Sequence, residues 1–306
     1  MLPFESDALI DRARLKRRLV LWRVLAIAAG AVLVAVVLGR SMGPWDGPHI
    51  ARLTVGGIIQ EDSERERALD DLPEDSAAGA LIVRIESPGG TVVGGEQLYR
   101  GLRRVAEKMP VVAVMDTFAT SAGYMVALGA DRIIAHEGTI TGSIGVIYQT
   151  TNVQGLLEKL GITTEAIKSG ELKAVPSPLE PITPKAREAT RRVVLDIFDM
   201  FVDMVAERRG LERARVLELS DGRVYTGREA LKAGLVDGLG GELEAIRWLE
   251  DERGVTQDLP VRDVEIRRED DLWRGLGSII TGKTSLSETL TLDGLVSVWH
   301  PRLDRR

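Results

Sequence analysis

Ser121 stands where a strand-like run gives way to a helical one. Val111 to Met115 carries β-branched residues without a breaker, a turn runs through Thr117 to Thr120, and Ala122-Gly123-Tyr124 opens a short helix with Met125, Val126 and Leu128. A hydroxyl at such a turn can project into a cleft. The backbone N–H groups that follow it, Ala122 first, have no acceptor inside the helix they begin, which suits them to hold a developing oxyanion. A serine that merely caps the helix would occupy the same place. The two roles differ in what else they need, because a serine hydroxyl is a weak nucleophile without a neighbouring base.

Candidates for that base are few. The chain has no cysteine, so a thiol nucleophile, a disulfide framework and a thiolate metal site are excluded. Its three histidines are His49, His136 and His300. His136 follows the short apolar run Arg132 to Ala135 in Ala-His-Glu-Gly, a turn in which a histidine is usually solvated. Lysine is the alternative, because burial away from any acid disfavours the ammonium form and frees the amine to take a proton. Lys168 and Lys173 both lie in a proline-rich loop from Lys168 to Pro184. Lys173 precedes Ala174-Val175-Pro176, apolar neighbours suited to desolvation, whereas Lys168 precedes Ser169-Gly170-Glu171 and reads as the more exposed. A second oxyanion donor is available where the strand Ala80 to Ile85 ends in Ser87-Pro88-Gly89-Gly90, since glycine leaves backbone N–H groups bare.

The elements that must position these groups alternate. Strands are expected at Ile50–Ile59, Ala80–Ile85, Val111–Met115, Arg132–Ala135, Thr141–Val146 and Thr163–Ile167. Between them, Leu98, Leu102, Val105 and Met109 mark one helix face and Val153 to Leu160 a second. A long helix begins at Thr183-Pro184 with Val193, Val194, Ile197, Phe198, Phe201 and Val205 as its apolar stripe. Asp221 to Gly241 reads as a hairpin-like start, a short helix and a glycine turn, followed by a helix from Glu242 to Leu249. This alternation predicts an α/β domain with right-handed crossovers. Val261 to Arg267 alternates like a strand, and the segments Leu272–Ile280 and Leu286–Trp299 read as amphipathic.

Residues 1–18 end in a basic cluster, Arg12, Arg14, Lys16, Arg17 and Arg18, and the run from Leu19 to Gly39 is apolar apart from Arg23, with Arg40 alone on its far side. About 20 such residues cross a bilayer once, and the one-sided basic cluster places the tail in the cytoplasm and the rest outside. The expected organisation is a cytoplasmic tail (1–18), an anchor (19–40), a linker (41–48), a catalytic domain (49–250) and a C-terminal extension (251–306). A net charge of -6 and a pI near 5.4 give no basic excess for nucleic acid. No metal or cofactor is expected.

Several of these segments together resemble the signal peptide peptidases of the SppA type. They are Ser87-Pro88-Gly89-Gly90, Thr120 to Tyr124, Ala130-Asp131, Thr141 to Val146, Lys168-Ser169-Gly170 with Lys173, Gly222 to Gly227, and Gly234 to Asp237. The resemblance covers roughly residues 48–250 and implies a domain like those of Clp protease and crotonase. It implies Ser121 as nucleophile, Lys173 as general base, Ser143 as the residue that orients the lysine, and Gly90 and Ala122 as the oxyanion hole. It also implies a homo-oligomeric ring, hydrophobic peptides such as cleaved signal peptides as substrates, and a place at the inner membrane with the catalytic domain outside the cytoplasm. Ala122 stands where the family often has glycine, and Ala174 where an Asp or Ser often follows the lysine; neither removes a catalytic group. A crotonase-like acyl-CoA enzyme would need neither Ser121 nor Lys173, and an inactive tethered scaffold would tolerate the loss of either.

Overall fold

The computed structural model describes residues 47–266, together with 16, 18–28, 30 and 296–298. The chain divides into two compact units, residues 1–47 and 48–306. In the first, residues 18–28 are helical, and Leu19, Val20, Leu21, Trp22, Val24, Leu25 and Ile27 are exposed. Among the described residues no helix is long and apolar enough to cross a membrane. Residues 31–40, the second half of the expected anchor, lie outside the described residues, as do residues 267–295 of the C-terminal extension.

The second unit is built on a largely parallel sheet in the order β6-β5-β3-β2-β1-β8, with β4 on β3, β7 on β4 and β9 on β2. The strands are β1 (His49–Ile59), β2 (Ala78–Thr91), β3 (Val111–Thr120), β4 (Arg132–Ala135), β5 (Ile140–Gly142), β6 (Val224–Thr226), β7 (Gly238–Leu239), β8 (Val261–Asp263) and β9 (Val296–Val298). The helices are α1 (Ser63–Asp71), α2 (Val92–Ala106), α3 (Ala122–Ala127), α4 (Gln154–Lys159), α5 (Pro184–Arg209), α6 (Arg213–Leu219), α7 (Gly227–Ala233) and α8 (Glu242–Arg253). Successive side chains of a strand face opposite sides, and here both sides are covered. Leu81, Val83 and Ile85 of β2 pack with Leu98 and Leu102 of α2, Tyr124 and Met125 of α3, and Phe201 and Val205 of α5. Ala80 and Ile82 pack on the other face with Ala245, Trp248 and Leu249 of α8.

Several expectations change, and the strand expected at Thr141–Val146 ends at Gly142. The strand around Ala80–Ile85 does not stop before Ser87 but runs on through Gly90 to Thr91, because β1 continues to pair with it, Ile58 opposite Gly89 and Ile59 opposite Gly90. β3 likewise runs through the expected turn to Thr120: its first half pairs with β4 and its last three residues with β5. Residues 163–167 form no strand, and Ile167 is 98% exposed. Pro184 does open a long helix, capped by the Thr183 hydroxyl and closed by Gly210 in the left-handed conformation, but apart from Ala186 it is buried only in its C-terminal half.

Candidate active site

Ser121 occupies the N-cap position of α3 without behaving as a cap. Its hydroxyl makes no capping hydrogen bond, and its backbone stands at φ 56° and ψ -117°. That is outside the regions an L-residue ordinarily occupies, and such strain persists only where the surroundings hold it. The holding contacts are identifiable. The Ser121 N–H donates to the Gly142 carbonyl at 2.8 Å, and the Ser121 carbonyl accepts from the Met125 N–H at 2.9 Å. Behind it, Tyr124 is fully buried, with its hydroxyl donating to the Leu235 carbonyl at 2.9 Å. Burial pushes the Tyr124 phenol above its ordinary range, so it stays protonated and remains a donor. Ser121 itself is 1% exposed. The result is a serine on a tight strand-to-helix elbow, the backbone geometry that nucleophilic serines of α/β hydrolytic enzymes use.

Ser143 and Ala122 are brought to this elbow. Ser143 follows Gly142, whose carbonyl holds Ser121, and its own N–H donates to the Arg223 carbonyl at 2.8 Å. It too has positive φ, 51°. Gly142 needs to be glycine: its φ is +80°, and a Cβ there would lie 2.6 Å from the Tyr225 ring. Ala122 is the first residue of α3, where an N–H lacks an intrahelical acceptor.

Gly90 lies in the strand beside the elbow. The Thr120 hydroxyl donates to the Pro88 carbonyl at 2.9 Å, and the Ser87 hydroxyl donates to the Gly57 carbonyl at 2.6 Å while accepting from the Gly89 N–H. These bonds fix the bend through which β2 parts from β3. A Cβ on Gly90 would stand 1.8 Å from the Ile59 carbonyl oxygen. Any side chain there collides with the backbone of β1, so the requirement for glycine is first one of strand packing, and a substitution at Gly90 cannot isolate an oxyanion donor.

Lys173 is placed differently. It is exposed on an arm between β5 and α5, and it makes no side-chain hydrogen bond or ion pair among the described residues. No hydrogen bond joins it to Ser121 in the single chain. Its neighbour Lys168 reverses the expected exposure: its side chain is 16% exposed and paired with Glu180. His136 lies in the exposed turn after β4 and lines a cavity of about 770 Å³ with Thr54, Arg84, Glu86, Asp116 and Thr139, which Ser121 does not line.

Sequence reading missed the supports. Thr120, Tyr124 and Arg223 sit inside the quoted motifs, but their partners, at Pro88, Leu235 and Ser143, are remote in the chain. Asp237, which ends Gly234 to Asp237, accepts both guanidinium arms of Arg209 and the Ile133 N–H, and so locks α5 to β4. Among the described residues no cluster of acidic side chains and histidines could hold a metal.

The model of peptidase family S49 matches residues 103–256, half of the chain. A protein of Synechocystis sp. (strain ATCC 27184 / PCC 6803 / Kazusa), named "Putative protease slr0021", is 40% identical over 211 residues, 68% of this chain and 76% of that one. "Serine protease SPPA, chloroplastic" of Arabidopsis thaliana is 30% identical over 268 residues, 84% of this chain and 38% of that one. Among solved structures, a point mutant of ClpP1 from Listeria monocytogenes shares 16% identity, covers 67% of this chain and 94% of its own, and has a TM-score of 0.43. Matched by the family model across the elbow, the arm and α5 to α8, the chain belongs to peptidase family S49 and is of the SppA type.

Proposed function

We propose that the protein is a membrane-anchored serine endopeptidase with a Ser–Lys dyad, acting on hydrophobic peptides such as signal-peptide remnants. The observation that carries this reading is Ser121: a buried hydroxyl, unspent on capping, on a backbone held in a strained elbow. In the proposed reaction the Ser121 Oγ attacks the scissile carbonyl carbon while its proton passes to the neutral amine of Lys173. The carbonyl oxygen, now negative, takes hydrogen bonds from the Gly90 and Ala122 N–H groups. Lys173 returns the proton to the leaving amine, then takes one from the water that hydrolyses the acyl-enzyme. Ser143 fixes the direction of the lysine amine. A fluorophosphonate probe should label the protein, and Ser121→Ala should remove the labelling; an unlabelled parent protein would instead favour an acyl-CoA enzyme without a nucleophilic serine.

Lys173 must come over a serine that its own chain does not offer it by hydrogen bonding. Assembly supplies the means. The arm displays Leu156, Leu160, Ile162, Ile167, Leu172 and Leu179, all exposed in the single chain. An apolar surface of this kind marks an interface, and copies of the chain closing into a ring would cover it and desolvate the amine. The exposed apolar helix around Leu19 to Ile27 and the basic residues before it support the anchor, with the catalytic unit outside the cytoplasm. A reporter fused near Pro48 should be active only outside the cytoplasm; activity confined to the cytoplasm would reverse the topology.

A further inference from the structure

Lys173 stands on a loop with a built base. It follows Lys168 by five residues and precedes Glu180 by seven, and those two side chains meet, with Lys168 Nζ 2.5 Å from Glu180 Oε2. The pair is partly withdrawn from water: the Lys168 side chain is 16% exposed and that of Glu180 34%. Glu180 is also fixed through its backbone. Its carbonyl accepts from Asn152 Nδ2 at 2.6 Å, and the Pro178 carbonyl accepts from the Val153 N–H at 2.8 Å, so the returning foot of the loop is pinned to the start of α4. The Lys168 ammonium brings the outgoing foot to it. Within the loop thus closed, the Lys173 N–H donates to the Gly170 carbonyl at 3.0 Å, and Ala174 takes the left-handed conformation at φ 58°. A left-handed alanine is unfavourable on its own and persists where the surrounding chain holds it.

A second ion pair touches the same loop. Glu171 meets Lys185 in the first turn of α5 at 2.5 Å, but both side chains are well exposed, and solvent screens such a pair. The partly buried pair is the one placed to decide the shape of the loop. Joining residues 168 and 180 removes chain freedom that Lys173 would otherwise keep. That freedom matters at an active site, where a reacting group misplaced by about 1 Å costs about 10²-fold in rate. We propose that Lys168 and Glu180 are positioning residues for Lys173: their ion pair closes the base of its loop and presents the amine in one orientation. This rests on the reading of Lys173 as the base. Ser143 then directs the amine itself, while the clasp sets the backbone from which the side chain rises.

The test uses the full chain carrying Lys168→Glu, Glu180→Lys, both substitutions together, or Glu171→Gln as the exposed control. Each of the first two sets like charges against each other at the base of the loop, and the double variant restores attraction with the charges exchanged. On a fluorogenic peptide, Lys168→Glu and Glu180→Lys should each lower kcat by about tenfold to 10²-fold with KM within about twofold of the parent. The reversed pair should recover kcat to within about threefold, and Glu171→Gln should stay within about twofold of the parent. Sedimentation should be the same for all. Amide hydrogen exchange over residues 169–175 gives a readout independent of catalysis: it should quicken by about tenfold in each single charge reversal and return to the parent rate in the reversed pair. If Lys173→Ala proves fully active, the base assignment falls, and the exchange rates alone judge the clasp. With Lys173→Ala inactive, unchanged kcat in the single reversals, or a loss that the reversed pair does not recover, would overturn the proposal. So would a loss of kcat that follows a loss of assembly, which would make the pair a structural prop.

Discussion

The hydroxyl of Thr120 lies 2.9 Å from the carbonyl oxygen of Pro88, and joins the last residue before Ser121 to the bend of the glycine strand. Two strands that have stopped pairing with each other are thereby held at a fixed separation beside the elbow. Thr120 is completely buried, while Pro88 is partly exposed.

Thr120→Val keeps the shape and deletes the bond. It should lower stability by about 0.5–1.5 kcal/mol, the net worth of a typical hydrogen bond whose acceptor water can still reach. It should also lower kcat more than it raises KM, because the bond positions Gly90 relative to Ser121. Urea unfolding and steady-state kinetics on a fluorogenic peptide read both effects. A stable variant with full kcat would show that the strand bend is set without Thr120.

The alternation of apolar runs made the α/β sheet legible, and most core strands and helices fall where the periodicity puts them. What the sequence could not show was where a strand ends when its partner does not. Ser87-Pro88-Gly89-Gly90 has the composition of a turn, yet β1 keeps pairing with it and the strand continues to Thr91. Local composition likewise misjudged the lysines. Glu180, which pairs with Lys168, is twelve residues away, whereas the apolar residues next to Lys173 leave it exposed in the single chain. Ser121 was legible because small residues after a strand admit the elbow. Its support by Gly142 was not, being a contact between β3 and β5 that only the fold creates. The pairing of β9 was hidden by the same limit: Val296-Ser297-Val298 has β-branched character, but nothing in its neighbours names β2 as the partner.

The arm should matter more to assembly than to folding. Leu160 is 64% and Ile162 49% exposed, so Leu160→Glu with Ile162→Glu should leave the stability of one chain nearly unchanged. In the proposed ring these positions are covered, and two buried unpaired carboxylates would break the contact. Sedimentation of the chain from Pro48 onward should show a closed multi-subunit species that the double variant converts to monomers. Activity should fall by about 10²-fold or more, as a displaced catalytic group implies. A fully active monomer would remove assembly from the mechanism.

Asp221 and Arg223 form an exposed clasp next to the strand that holds Ser143. The Arg223 guanidinium and backbone N–H hold the Asp221 carboxyl down to about 2, from an ordinary 3.8. A folded value below the ordinary one means that the clasp's contribution is present above the ordinary value and is lost as the pH falls towards 2. Its size is small because solvent screens it. A carboxyl-carbon NMR titration should place the Asp221 midpoint near 2, and Arg223→Ala should return it towards 3.8. A midpoint already near 3.8 in the parent chain would contradict the clasp.

The central claim, that Ser121 and Lys173 rather than any histidine carry the chemistry, is tested by purified single variants assayed on one fluorogenic peptide. The account predicts that Ser121→Ala and Lys173→Ala each lower kcat by about 10⁴-fold or more while fold and assembly persist, as when a member of a catalytic unit is removed. Ser143→Ala should weaken activity less, and His136→Ala should leave it nearly intact. Loss of activity in His136→Ala, with retention in Lys173→Ala, would contradict it.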